Sequence, residues 1–538
     1  MSREVKDGER EHRSLVRAAG IVSAFTMLSR LLGLVREQAF AALLGAGLHA
    51  DAFQAAFRVP NLLRDLFAEG ALSAAFVPTY ARTVHDAGPE AAHRLGNRLL
   101  TLLAVILGLV VLAGVLLTGP LVSALAPGYE AVPGKMELTR SLTRVMLPFL
   151  PLVSFAAVAM GMLNAEERYG APALAPALFN VVAILWAVLL WSLGLPADQV
   201  ALGWAVGTLL GGAAQFLVQV PPLRRGGWRF RWDWAPADPG IRRIGSLMLP
   251  ATVGLAAVQV NIFVSTRFAS HEPGAVSWLM YAFRILYLPI GIFGVAVGTI
   301  ATTGLARRAA QGDTEGLRST LRQSLRMLAF LTIPATAGLW ALGVPVVRLL
   351  YERGAFDARD TQGTANALAF YALGLVAYTG VKVLAPAFYA LGTPRVPLLA
   401  SASAVATNLL VIAALHESLG YRGVALGTSL GSLVNVGILV AVFERRVGGL
   451  VDRELLASLS KMTLAAAGMA LAAGACAGGL EGWLGNRGLR AELLVGLAPV
   501  AVGVACYAIA AWLLGLSEVR LLLGALRHRR GPSQKPEG

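Results

Sequence analysis

Between Ser29 and Pro78 the chain sets Arg30, Arg36, Glu37, Asp51, Arg58, Arg64, Asp65 and Glu69 into an otherwise apolar stretch. That stretch reads as two membrane helices and a short turn. Ionisable groups inside a spanning helix face water or one another, because hydrocarbon penalises them. Four arginines on a lipid face would cost on the order of 10 kcal/mol, so the pattern predicts a hydrated chamber lined by guanidinium groups. A guanidinium is always charged and its planar fork matches the oxygens of a phosphate. Arg58, Asn61 and Asp65 share one helix face by their spacing of three and four. Arg64 lies off that face, and a bend at Pro60 is needed to bring both arginines to one anion. Gly33, between Arg30 and Arg36, offers the same freedom in the first helix. The competing reading is a set of internal salt bridges that hold helices together.

Catalysis finds less support. The seven histidines, from His12 to His528, sit in loops or near helix ends at no metal-ligand spacing. No glycine-rich phosphate loop precedes a helix. Asp65 and Glu69 are four apart and repel as an isolated pair, so with Arg58 and Arg64 beside them they read as part of a compensated ion network. Cys476 and Cys506 each lie in an apolar run and make no C-x-x-C pair. No catalytic residue, cofactor or metal is expected.

The elements that must hold these arginines follow from composition. Of 538 residues 56% are hydrophobic and 14% charged, which excludes an ordinary soluble protein and predicts an all-α polytopic membrane protein. Fourteen spans are predicted, near 18–44, 52–80, 99–118, 138–164, 171–194, 200–221, 244–270, 275–305, 326–347, 363–390, 396–415, 422–443, 456–480 and 491–515. Pro60, Pro148, Pro151, Pro250 and Pro289 fall inside spans, where breaks suit helices that bend along a pathway. The net charge of +15 is explained by topology rather than by nucleic acid. The segments alternating from the N-terminus carry about four times as many Lys and Arg as the opposite loops, which places both termini in the cytoplasm. The loop Pro221 to Gly240 mixes Arg224, Arg225, Arg229 and Arg231 with Trp228, Trp232 and Trp234, an interfacial anchor on that side.

A faint internal repeat sets Phe57-Arg58 against Phe283-Arg284, Phe67 against Phe293, Arg82 against Arg308, and Ala171-Pro172 against Val396-Pro397. It predicts two six-helix lobes around a central cavity: residues 1–222 and 244–447, joined by a cytoplasmic linker 223–243. A helix pair, 448–516, is appended, and a basic tail, 517–538, follows.

The motifs resemble those of a known family. Ser29-Arg30-Leu31-Leu32-Gly33 with Arg36, Asp51-Ala52-Phe53, Pro60-Asn61-Leu62-Leu63-Arg64, Phe67-Ala68-Glu69-Gly70-Ala71 and Ala75-Phe76-Val77-Pro78 are similar to the N-terminal signature of the MurJ (MviN) lipid II flippases. The likeness continues at Leu163-Asn164-Ala165, at Val276-Ser277-Trp278 with Tyr281-Ala282 and Arg284, and from Val381 to Tyr389 with Thr393-Pro394. It implies the MOP exporter fold and alternating access. The implied action is movement of lipid II, the undecaprenyl-pyrophosphate-linked disaccharide pentapeptide, from the cytoplasmic to the periplasmic leaflet of the bacterial inner membrane. The implied partners are that lipid, membrane lipids and other cell-wall synthesis proteins. By position, Arg30, Arg36, Asp51, Arg64 and Arg284 match cavity residues of the family. With Arg58, Asn61 and Glu69 they make the expected substrate site, and the appended pair makes the groove for the prenyl tail. The chain departs from the pattern at Phe283, where the family often has Asp. It also departs at Thr266 and Ile412, where some members carry sodium-binding carboxylates; Asn408 is kept. The alternative is another exporter of this fold, for a different polyprenyl-linked oligosaccharide or for drugs. A cation-drug antiporter would be expected to show unpaired acids rather than arginines.

Overall fold

The computed structural model describes residues 2–67, 71–485 and 488–520, without the side chains of 2–19, 21, 65–67, 71, 250–257 and 489. Every regular element among the described residues is helical. The first helices are α1 (Ser2–Leu44), α2 (Leu48–Phe67), α3 (Ala71–Leu116), α4 (Thr118–Leu125), α5 (Lys135–Met146), α6 (Phe149–Ala165), α7 (Gly170–Leu193), α8 (Ala197–Leu217), α9 (Val220–Arg225) and α10 (Pro239–Ala269). There follow α11 (Ala275–Pro289), α12 (Val295–Ala310), α13 (Thr314–Ala341), α14 (Gly343–Tyr351), α15 (Ala358–Ala372), α16 (Leu375–Ala390), α17 (Arg395–Leu419), α18 (Tyr421–Arg446), α19 (Arg453–Leu484) and α20 (Leu489–Leu513).

Ten helical runs are long and apolar enough to cross a membrane, or eleven if the bent pair α15–α16 counts as one. They correspond to eleven of the fourteen predicted spans. The other three, 18–44, 52–80 and 244–270, fall on α1, α2, the start of α3, and α10. Those helices carry the charged residues or include undescribed side chains. Predicted span 52–80 is divided, because α2 ends at Phe67 and α3 begins at Ala71. The segment 81–98, expected as a loop, is helical on both sides of a kink where Gly88 has φ 80°. A left-handed φ suits glycine, and Pro89 restarts the helix. Predicted span 138–164 is also broken, with Leu147 and Pro148 turning between α5 and α6. Pro289 is followed by a π-turn, Ile290–Gly294, which joins α11 to α12.

The chain divides into two compact units, Met1–Val276 with Arg353–Asp357, and Ser277–Glu352 with Ala358–Gly538. In the first, α1 lies along α7, α7 on α8, α3 on α6 and α10, and α2 on α5. Its core gathers Phe76, Tyr80, Leu107, Phe149, Met162 and Trp228. The α7–α8 contact is close because Gly203, Gly207 and Gly211 repeat every fourth residue along α8. A Cβ at Gly207 would stand 2.4 Å from Trp186 Cδ1, and one at Gly211 2.7 Å from Phe179 Cδ2. Small-residue stripes of this kind let membrane helices approach backbone to backbone.

The second unit repeats the device. On α18, Gly427 and Gly431 lie against α17, where a Cβ would meet Asn408 Oδ1 at 2.4 Å and the Ala404 carbonyl at 2.5 Å. Its core joins α12, α13, α16 and α18 through Leu305, Leu321, Val383, Phe388 and Phe443. Asp313 caps α13 by accepting from the Gly316 amide at 2.8 Å and from Arg308. That amide, then that guanidinium, hold its carboxyl below the usual range. The cap is therefore complete above the ordinary aspartate range and is lost only as pH falls through the lowered value.

Candidate functional site

Arg30 and Arg36 stand on α1, which packs along α7. Asn180 of α7, nearly buried, donates its Nδ2 to the Ser29 carbonyl at 3.0 Å. It thereby fixes the α1 backbone one residue before Arg30, whose side chain is exposed. Arg36 pairs with Glu37 and lays its guanidinium 5.2 Å from the centre of the Phe179 ring. A guanidinium over an aromatic face is attracted by the ring quadrupole and held flat.

Phe179 belongs to a ring of aromatic side chains inside the first unit. Its neighbour is Phe149 at 6.1 Å, followed by Phe57 at 5.3 Å, Phe53 at 5.9 Å and Phe40 at 5.1 Å. Phe40 lies one helical turn after Arg36, and Phe57 lies immediately before Arg58. Rigid aromatic packing thus connects the helices that carry both arginines. Arg58, Asn61 and Arg64 are half-buried on α2, and Pro60 between them is buried. Asn61 keeps a buried Oδ1 that accepts no hydrogen bond among the described residues. Glu69 and the side chain of Asp65 lie outside the described residues.

Asp51 has different surroundings. It is fully buried, with its Oδ2 2.7 Å from Lys135 Nζ and accepting from the Gly274 amide at 2.8 Å. Lys135 is 1% exposed and its ammonium sits 4.0 Å over the Tyr129 ring. The Tyr129 hydroxyl donates to the Asp51 carbonyl at 3.0 Å. Burial first, and then the Asp51 carboxylate, raise the Tyr129 hydroxyl well above its usual pKa, which keeps it a donor. A buried ion pair needs such extra partners to offset desolvation. Lys135 and Tyr129 were not legible as partners of Asp51, since they stand far away in sequence with no shared pattern.

Arg284 belongs to the second unit. It is half-buried on α11, with Nη2 3.7 Å from Met280 Sδ. Phe283 beside it meets Tyr371 edge-on at 5.4 Å and Tyr378 at 6.4 Å, so an aromatic cluster occupies the position where the family often places Asp. Arg267, in the last turn of α10, donates to the Ala124 carbonyl at 2.7 Å and caps the end of α4.

A largely apolar cavity of about 570 Å³ lies between α13, α19 and α20, lined by Phe330, Pro334, Gly338, Met469, Pro499 and Gly503 among others. Ion pairs dock the appended helices beside it. Arg326 of α13 reaches Glu454 at 2.6 Å and Glu518 at 2.7 Å, and Arg348 of α14 reaches Glu481 at 2.6 Å. Arg318 and Arg322, two turns and one turn before Arg326, bond the carbonyls of Val447 and Gly449. The every-fourth-residue arginines of α13 were the sequence signal for this clasp.

Residues 40–494 match the family model described as lipid II flippase MurJ. The probable lipid II flippase MurJ of Vibrio cholerae serotype O1 is 33% identical over 513 residues, 94% of this chain and 97% of that protein. The lipid II flippase MurJ of Burkholderia cenocepacia is 34% identical over 449 residues, 80% of this chain and 84% of that one. Among solved structures, an inward closed conformation of lipid II flippase MurJ superposes with a TM-score of 0.76 at 24% identity, covering 93% of this chain and 99% of that one. An inward-facing MATE multidrug transporter of the MOP superfamily gives 0.65 at 18% identity, covering 80% and 98%.

Proposed function

The chain belongs to the lipid II flippase MurJ family, and from that premise we propose that it carries lipid II from the cytoplasmic to the periplasmic leaflet of the bacterial inner membrane. It is a multi-span membrane protein of the MOP fold. The observation that carries the reading is the set of guanidinium groups on α1 and α2, with Arg30 exposed and Arg36, Arg58 and Arg64 half-buried. A pyrophosphate offers two linked anionic centres and needs several bidentate donors at once. Arg30, Arg36, Arg58 and Arg64 of the first unit supply them, with Asn61 adding an amide, and Arg284 is a further cargo-binding candidate by its match to the family's motif. Alternating access exposes this set first to one side of the membrane and then to the other. Asp51 acts through Lys135, holding the start of α2 in place, and is a positioning residue. The cavity beside α13, α19 and α20 takes the prenyl tail, because it is apolar and docked by ion pairs rather than packed solid.

The test is complementation of a strain depleted of its own lipid II flippase, with membrane expression confirmed. Rescue of growth and of periplasmic lipid II is expected. Correct insertion without rescue overturns the reading and favours an exporter of another polyprenyl-linked oligosaccharide.

A further inference from the structure

The segment between α9 and α10 has features that transport does not use. Residues 228–235 form no helix or strand. In sequence, Trp228, Phe230, Trp232 and Trp234 alternate with Arg229, Arg231 and Asp233. The strap is pinned to α3. Buried Trp228 donates Nε1 to Asn97 Oδ1 at 2.9 Å, Asn97 returns a bond to the Arg229 carbonyl at 2.9 Å, and the Asp233 amide donates to Thr101 Oγ1 at 3.2 Å. Arg98 pairs with both Asp233 and Asp238. Both acids of the segment are therefore engaged within the unit by one guanidinium. Arg224, Arg225, Arg229 and Arg231 are all exposed and, among the described residues, have no ion pair.

An apolar cavity of about 350 Å³ lies behind the strap, lined by Leu100 and Ala104 of α3, Phe155 of α6, Phe216 of α8, and by Trp228 and Phe230. Its volume is in the range of about 300–1,000 Å³ usual for ligand pockets. Arg224 is the one charged residue in its lining. Phe230, Trp232 and Trp234 are 53%, 63% and 52% exposed, as suits rings at a membrane–water interface. A hydrocarbon-lined cavity with a guanidinium in its lining, a second at the end of α9 and two more on the adjoining strap suits a molecule with an apolar chain and an anionic head. We propose that this is a binding site for an anionic glycerophospholipid. One acyl chain enters between α3, α6 and α8, and the phosphate meets Arg224. Arg225, Arg229 and Arg231 select a net negative headgroup, since the ammonium of a zwitterionic lipid is repelled by them. The residues of this site are distinct from the arginines of α1 and α2 and from the cavity beside α19 and α20.

The test uses the full-length protein in nanodiscs of equal phosphatidylglycerol and phosphatidylcholine, with retained lipids counted by native mass spectrometry. The wild type should retain phosphatidylglycerol over phosphatidylcholine by about tenfold. Changing the four arginines to Gln should bring the ratio near one. Ala104→Phe, which fills the cavity and leaves the charge intact, should reduce retained phosphatidylglycerol about fivefold, by loss of the buried chain. Melting curves show that each variant is folded. Retention unchanged in Ala104→Phe would reduce the site to a charged surface and overturn the proposal. So would equal retention of the two lipids by the wild type, or one-for-one displacement of phosphatidylglycerol by lipid II.

Discussion

Arg36 is held between an acid and an aromatic face, whereas Arg30 is exposed beside a backbone fixed by Asn180. One guanidinium is set in place and the other is open to an incoming group. Replacing Arg30, Arg64 or Arg284 with Ala should abolish lipid II transport while the protein still inserts, as read by a flipping assay on matched membranes. Lys should restore only part, because a point charge loses the bidentate geometry. Full activity in the three alanine variants would make the arginines structural. Asp51 follows a different rule. Asp51→Asn leaves the Lys135 ammonium buried without its counter-charge, so a loss of about 3–5 kcal/mol is expected, seen as a lowered melting temperature. Adding Lys135→Met should recover most of that stability. Transport lost at unchanged stability in Asp51→Asn would instead place the carboxylate on the cargo.

At the scale of helices, small residues set how closely pairs pack. The α7–α8 contact depends on Gly207, over which the Trp186 ring lies while its Nε1 donates to the Gly203 carbonyl at 2.8 Å. Gly207→Val would drive a branched side chain into that ring. A destabilisation of about 1–3 kcal/mol is expected, measured by thermal unfolding in detergent. An unchanged melting temperature would mean the helices can separate freely. Helix breaks serve a different end. Pro289 with its π-turn keeps α11 and α12 one continuous run while re-aiming the residues after Arg284, and π-turns of this sort recur at functional sites.

For the whole molecule the question is sidedness and energy. The charge asymmetry predicts that the loop of residues 221–240 is cytoplasmic and that the segment around Glu130, which is exposed, lies on the opposite side. Single cysteines at Arg229 and Glu130 should label from opposite sides; labelling from the same side overturns the topology. Coupling then follows from the sign of the cavity. If the arginines bind the pyrophosphate as proposed, a cytoplasm-negative potential favours net outward transfer of the anionic headgroup over the whole cycle. One charge moved through 100 mV is worth about 2.3 kcal/mol, so that net transfer needs no bound ion. The resemblance implies that Thr266 and Ile412 replace sodium-binding carboxylates of some family members, and the scheme is built on that expectation. Transport should fall when the potential is collapsed at fixed sodium and hold when sodium is replaced at fixed potential. A strict sodium requirement with no response to potential would sink the idea.

Sequence alone determined the class, the arginine set and the family. Long apolar runs can only be membrane helices, and charges inside them are visible against that background wherever the chain folds. Motif spacing along one helix is local, so Arg30, Arg36, Arg58, Asn61 and Arg64 were legible as a group. Tertiary structure decided what each of them touches. The burial of Asp51 against Lys135, the aromatic ring from Phe179 to Phe40, and the cavity beside Met469 depend on which helices pack together. In a chain this rich in Ala, Leu and Gly, many pairings look alike until close packing chooses among them. The helix around the kink at Gly88 was misread as a loop for a related reason: hydropathy reports where the chain is apolar, and backbone geometry decides where it bends; the break at Leu147–Pro148 was legible from Pro148.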